Sequence, residues 1–145
     1  MFHKDVKGVG VDLVDIARMD RAVSRWGERF TVRVFTREEL SYSHGRSRPE
    51  QHLSARFAGK EAVVKALGGL GEGCRMNEIE IVSGPMGRPL VRLHGSVRRL
   101  AAERGVSEIF LSVSHTAQMA VAQAVAVGRA EYKEVQDAVQ RKQDT

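Results

Sequence analysis

The run Gly8-Val9-Gly10-Val11-Asp12 limits what this chain can become more than any other segment. Side chains alternate across a strand, so Val9, Val11 and Leu13 share one face while Gly8, Gly10 and Asp12 share the other. A face stripped of side chains admits close approach by backbone, ligand or metal, and Asp12 places a carboxylate on it. A second segment, from Arg56 to Leu67, has a helical and mostly apolar pattern, yet it sets Glu61 and Lys65 one turn apart on a single face. Two carboxylates from different elements, with lysines beside one of them, suit a magnesium ion that holds a phosphate-bearing substrate. The plainer alternatives are that Asp12 caps the next helix and that Glu61 and Lys65 form an intrahelical ion pair worth about 0.3–0.5 kcal/mol.

The chain of 145 residues predicts one domain with a real core. With 42% hydrophobic and 28% charged residues it is globular material rather than a disordered segment. Cys74 is the only cysteine, which excludes an internal disulfide framework and points to a reducing, cytoplasmic setting. The longest apolar stretch, Met119 to Val127, is interrupted by Gln123 and is too short to cross a bilayer, so no membrane role is expected. A net charge of +5 implies an acidic partner without choosing which.

Local patterns divide the chain further. Residues 6–14 read as a strand. Asp15 is placed to cap a helix running to about Arg25, with Gly27 as its stop. That helix carries Arg18, Arg21 and Arg25 along one side, which is either a solvated face or a docking surface for an acidic partner. Thr36-Arg37-Glu38-Glu39 has the form of a capping box. The long central helix is expected over 54–67, followed by the glycine-rich stretch Gly68 to Gly73, whose bare amides could line a phosphate. Hairpin strands are expected over 78–82 and 90–94, a helix over 96–104, and two more strands over 109–114 and 119–127. The order predicts a single α+β domain over 1–128, with a small antiparallel or mixed sheet and a long central helix, and a polar tail over 129–145. In that tail only Tyr132, Val135 and Val139 suggest a helical stripe.

Several phosphate and metal motifs are excluded. Gly59-Lys60 is not a P-loop, because Ser54 stands where the first glycine belongs and Glu61 replaces the serine or threonine. No His/Cys cluster has zinc spacing. A nucleic-acid-binding module remains the alternative from another class. Against it, only 6% of residues are aromatic and none interleave with basic residues as base-stacking surfaces require. Lys60 could snorkel from its helix, and a lone histidine such as His115 is more often structural than catalytic.

Taken together, the segments resemble the small bacterial holo-[acyl-carrier-protein] synthases, which are 4′-phosphopantetheinyl transferases. The resemblance rests on Gly8 to Ile16, on Phe35 to Leu40 and on Ala55-Arg-Phe-Ala-Gly-Lys-Glu-Ala-Val-Val-Lys-Ala-Leu-Gly68. It continues through Ile79-Glu-Ile81, Gly87-Arg-Pro89 and Ser112-Val-Ser-His-Thr116. It implies transfer of 4′-phosphopantetheine from coenzyme A to a serine of an apo acyl carrier protein. Asp12 and Glu61 would hold Mg2+, Lys60 and Lys65 would lie near the phosphates, and Gly68 and Gly71 would border the coenzyme. His115 would lie at the coenzyme site, and Glu61 or a metal-held water beside it would take the serine proton. Arg18, Arg21 and Arg25 would receive the acidic carrier, and the assembly would be a homotrimer with its sites at subunit interfaces.

Overall fold

A computed structural model describes residues 3–130 and 139–143. The expected strand over 6–14 is longer, β1 (Lys4–Asp15), and it pairs antiparallel with β5 (Met119–Arg129). On its other side β5 pairs antiparallel with β4 (Glu108–His115), which gives the order β1-β5-β4. A second antiparallel pair, β2 (Ile79–Ser83) with β3 (Pro89–Leu93), stands apart from that sheet. The helices are α1 (Ile16–Trp26), α2 (Glu28–Val34), α3 (Arg37–His44), α4 (Pro49–Ala66) and α5 (Gly95–Glu103). The α+β class is as the sequence predicts.

The glycine face of β1 is the buried one. A methyl group on Gly8 would overlap the carbonyl of Ala66, and one on Gly10 the carbonyl of Ala62, both in α4. Ala120, Ala122, Ala124 and Ala126 of β5 are buried on the same side of the sheet, facing Ala58, Ala62 and Ala66 of the helix. Small residues on both surfaces let helix and sheet backbones approach closely, which packs their atoms densely at the cost of side-chain bulk. The apolar face, by contrast, points outward. Val9, Val11 and Leu13 are 57–63% exposed, and Val9 lies in register with Val125 and, through it, with Phe110.

The capping assignments hold in detail. Asp15, not Asp12, accepts the Arg18 amide at the start of α1, so Asp12 is released from that duty. Thr36 and Glu39 exchange both bonds of a capping box, at 2.8 and 3.2 Å. Two helices differ from expectation. The central helix begins at Pro49 rather than near Ser54, because proline at the first turn lacks only an amide that would have no partner there. Helix α2 was not expected, and its Phe30 and Val34 pack against the core. Of the tail, residues 139–143 are helical with Val139 exposed, while Tyr132 and Val135 lie outside the described residues.

Candidate active site

The close contact between β1 and α4 brings Asp12 next to Glu61 and Lys65. The Lys65 ammonium does not turn back to Glu61. It reaches across to the sheet, 2.9 Å from the Val11 carbonyl and 3.4 Å from Asp12 Oδ1. The intrahelical ion pair is therefore not what these residues form. Glu61 is left half-buried, and burial raises its carboxyl pKa above 4.5. The negative charge of Asp12 adds to that rise, and Lys65 offsets only part of it. Both acids line a cleft of about 430 Å³ with Asp15, Arg18, Phe57 and Met119.

Arg18 thus joins the cleft, while Arg21 and Arg25 continue the basic stripe on the exposed side of α1. Phe30 of α2 borders this cleft and also an apolar groove of about 690 Å³ between Trp26, Arg29, Arg33 and Val34. Gly68 lies directly past the end of α4 with φ of 83°, where its amide bonds the Lys65 carbonyl. Gly71 follows in the same glycine-rich segment.

Lys60 requires a correction. The resemblance implied a place near the phosphates, with snorkelling from the helix as the plainer alternative, but its ammonium is fully buried and paired at 2.6 Å with Glu39, which is buried as completely. It donates as well to the carbonyls of Met76 and Ile79. Desolvation pushes its pKa down, and Glu39 pulls it back. A cation enclosed this way cannot meet a ligand in the cleft. One residue separates the two fates, because Lys60 and Glu61 leave the helix in different directions.

His115 joins a different group. It ends β4 in register with Ala120, near enough to His52 in the first half of α4 for its charge to act on that ring. There His52 is held more acidic by burial first, and then by the charges of Arg56, Arg46 and His115. The guanidinium carbons of Arg46 and Arg56 sit 4.3 and 4.1 Å from the Tyr42 ring centroid, and the His52 ring meets Tyr42 edge-on at 5.6 Å. Arg56 is buried and reaches Ser83 Oγ at 3.4 Å, while its Nε has no partner among the described residues. Such a concentration of positive charge attracts an anion. Sequence reasoning assigned no role to Tyr42, Arg46, His52 or Arg56: Tyr42 lies in α3, Arg46 in the loop after it, and His52 and Arg56 in α4, so no local signal joins them. Among the described residues no three His, Cys, Asp or Glu side chains converge for a metal, and no helix is long and apolar enough to cross a membrane.

Comparison with known proteins places the chain in a family. The profile of the 4′-phosphopantetheinyl transferase superfamily matches residues 8–124. A holo-[acyl-carrier-protein] synthase of Desulforudis audaxviator is 46% identical over 126 residues, 87% of this chain and 96% of that protein. The crystal structure of holo-[acyl-carrier-protein] synthase from Neisseria meningitidis superposes with a TM-score of 0.78 at 31% identity, covering 84% of this chain and 98% of the other. The Helicobacter pylori holo-[acyl-carrier-protein] synthase in complex with coenzyme A gives a TM-score of 0.71 at 28% identity over 81% of this chain and 98% of its own. With the profile spanning the strand that carries Asp12 and the helix that carries Glu61 and Lys65, this chain belongs to the 4′-phosphopantetheinyl transferase superfamily.

Proposed function

We propose that this protein transfers 4′-phosphopantetheine from coenzyme A to a serine hydroxyl of an apo acyl carrier protein, with adenosine 3′,5′-bisphosphate as the other product. The observation that carries the reading is the meeting of Asp12 and Glu61 in one cleft, with Lys65 held against Asp12 and the Glu61 charge only partly offset by it. Two carboxylates are a fitting protein share for Mg2+, which keeps its other positions for water and substrate phosphate oxygens. Asp12 and Glu61 would hold the ion, which when bound supplies neutralisation of diphosphate charge. The chain's own part is to bind, orient and move one proton.

In the reaction the serine oxygen forms a bond to the phosphorus that carries pantetheine, and the bridging phosphorus–oxygen bond breaks. The bridging oxygen leaves with the adenosine bisphosphate. Lys65, fixed by the Val11 carbonyl and Asp12, presents a cation to the phosphate charge that shifts in this step. Glu61, or a water held beside it, takes the serine proton. Holding two large substrates in line supplies much of the remaining rate.

The basic group around Tyr42, including His115, suits a further phosphate of the coenzyme. Gly68 and Gly71 would border the same ligand. Arg18, Arg21 and Arg25, with the apolar groove beside Trp26 and Phe30, offer an acidic carrier both charge and an anchoring surface. The outward apolar face of β1-β5-β4 supports self-association, and a homotrimer would use it to bring the basic group of one subunit toward the acidic cleft of the next. The lone half-buried Cys74 accords with work in the cytoplasm.

Intact-mass measurement tests the reading. Apo acyl carrier proteins offered with coenzyme A, Mg2+ and this protein should gain one phosphopantetheinyl group. Failure of every acidic carrier to gain mass, together with salt-sensitive binding of oligonucleotides, would favour a nucleic-acid binder instead.

A further inference from the structure

Helix α5 has no part in the reaction outlined above, yet its end is tied to the glycine-rich segment that follows α4 and its start to the residues just after that segment. At its start, Glu78 accepts the Ser96 amide at 2.6 Å with one oxygen and the Arg75 amide at 2.9 Å with the other. Past its end, one nitrogen of the Arg104 guanidinium donates to the Leu67 carbonyl and, at 2.5 Å, to the Gly69 carbonyl. Between these ties Leu100 lies under Gly71, where a side-chain carbon on the glycine would stand 3.7 Å from Leu100 Cδ1. The chain just beyond the segment is also held by Lys60, which donates to the Met76 carbonyl at 3.2 Å.

The segment needs such help. It contains Gly68, Gly69, Gly71 and Gly73, and three of these have φ of 83°, 99° and 80°. Glycine reaches those angles freely but loses the most conformational freedom on being fixed there. No side chain of the segment itself supplies the fixing at Gly68 and Gly69. Leu70 and Cys74 touch the core further on, and the first turn out of the helix is held from outside by Arg104.

We infer that Arg104 is a positioning residue, which with α5 as a brace holds the glycine-rich segment in the shape that receives coenzyme A. The inference rests on the transfer reaction proposed above, in which that segment borders the coenzyme. Loss of the brace reduces the fraction of molecules ready to bind, and apparent affinity falls by that fraction. Asp12, Glu61 and Lys65 are carried by β1 and α4, whose mutual contacts do not involve Arg104. The effect therefore falls on coenzyme binding rather than on the chemical step.

The test compares R104M and R104K with the unaltered protein. R104M should raise KM for coenzyme A on the order of tenfold, while kcat and KM for the carrier stay within about twofold. R104K, a single ammonium in place of a planar fork, should recover part of the loss. Amide hydrogen exchange without substrate should be faster over 68–75 in R104M and unchanged through the middle of α4. Unchanged exchange over 68–75 would overturn the brace. So would a uniform change in all kinetic parameters that R104K does not relieve, since that is the mark of general destabilisation. The exchange measurement needs no substrate, so it separates failure of the brace from failure of the transfer reaction, which would show as no carrier modified by the unaltered protein.

Discussion

Lys60 and Glu61 are neighbours in one helix, and their surroundings could hardly differ more. Lys60 is enclosed, its charge matched by Glu39 and its remaining hydrogens taken by backbone carbonyls. Glu61 opens on a cleft, next to a second carboxylate, and its charged form is disfavoured by burial and by Asp12. The first arrangement satisfies every demand that a buried ion makes, and its work is to join α3, α4 and β2. The second leaves a demand unmet, and a divalent cation and a diphosphate would meet it. Uncompensated charge on a well-packed scaffold marks the place for chemistry, whereas compensated charge marks structure.

The largest effect expected from this contrast is on stability. K60M strands the Glu39 carboxylate in the core and should cost about 3–5 kcal/mol in chemical denaturation. The double change E39Q with K60M should recover a good part of that loss. A cost under 1 kcal/mol for K60M would show that the pair is less enclosed than its geometry implies. Next comes catalysis. D12N and E61Q should each lower carrier modification by a factor on the order of 10²–10³ while folding normally, read by intact mass over time. Equal losses of fold and of activity in these variants would erase the distinction between the two regions.

A smaller effect tests the scaffold beneath both. G10A puts a methyl group against the Ala62 carbonyl, so α4 must lift from β1. It should cost roughly 1–3 kcal/mol and loosen the approach of Lys65 to Val11. The smallest effect has the opposite sign. Because folding raises the Glu61 pKa above 4.5, the folded chain binds that proton more tightly, and Glu61's contribution to stability is lost as pH rises through the folded value. Without divalent cations, E61Q should therefore be more stable than the unaltered protein at pH 7, read as a higher Tm. The difference should shrink below about pH 4.5, and added Mg2+ should favour only the unaltered protein.

Local signals made much of this legible. The glycine–aspartate alternation of β1, the capping box at Thr36 and Glu39 and the glycine stop at Gly27 each depend on residues close in sequence, and each is seen. The Asp12–Glu61 pairing was also legible, because a bare strand face invites a close helix. Glu39 shows where such reading stops. Its capping role is local, but its second oxygen accepts the Ile81 amide and its charge meets Lys60, and both partners come from distant segments. The group around Tyr42 is hidden for the same reason, since α3, α4, β2 and β4 must pack before Arg56, Ser83 and His115 become neighbours. Helix α2 escaped notice because Phe30, Val32 and Val34 alternate like a strand within a short run.

The contrast between the two regions reduces to one titration. Carbon-detected NMR of the Glu61 carboxyl, in protein free of metal, should give a midpoint above the ordinary 4.5. That midpoint should fall toward the ordinary value in D12N, and fall further in the unaltered protein when Mg2+ is added. A midpoint at or below 4.5 that neither D12N nor Mg2+ moves would mean that the two carboxylates do not share a site, contradicting the account at its centre.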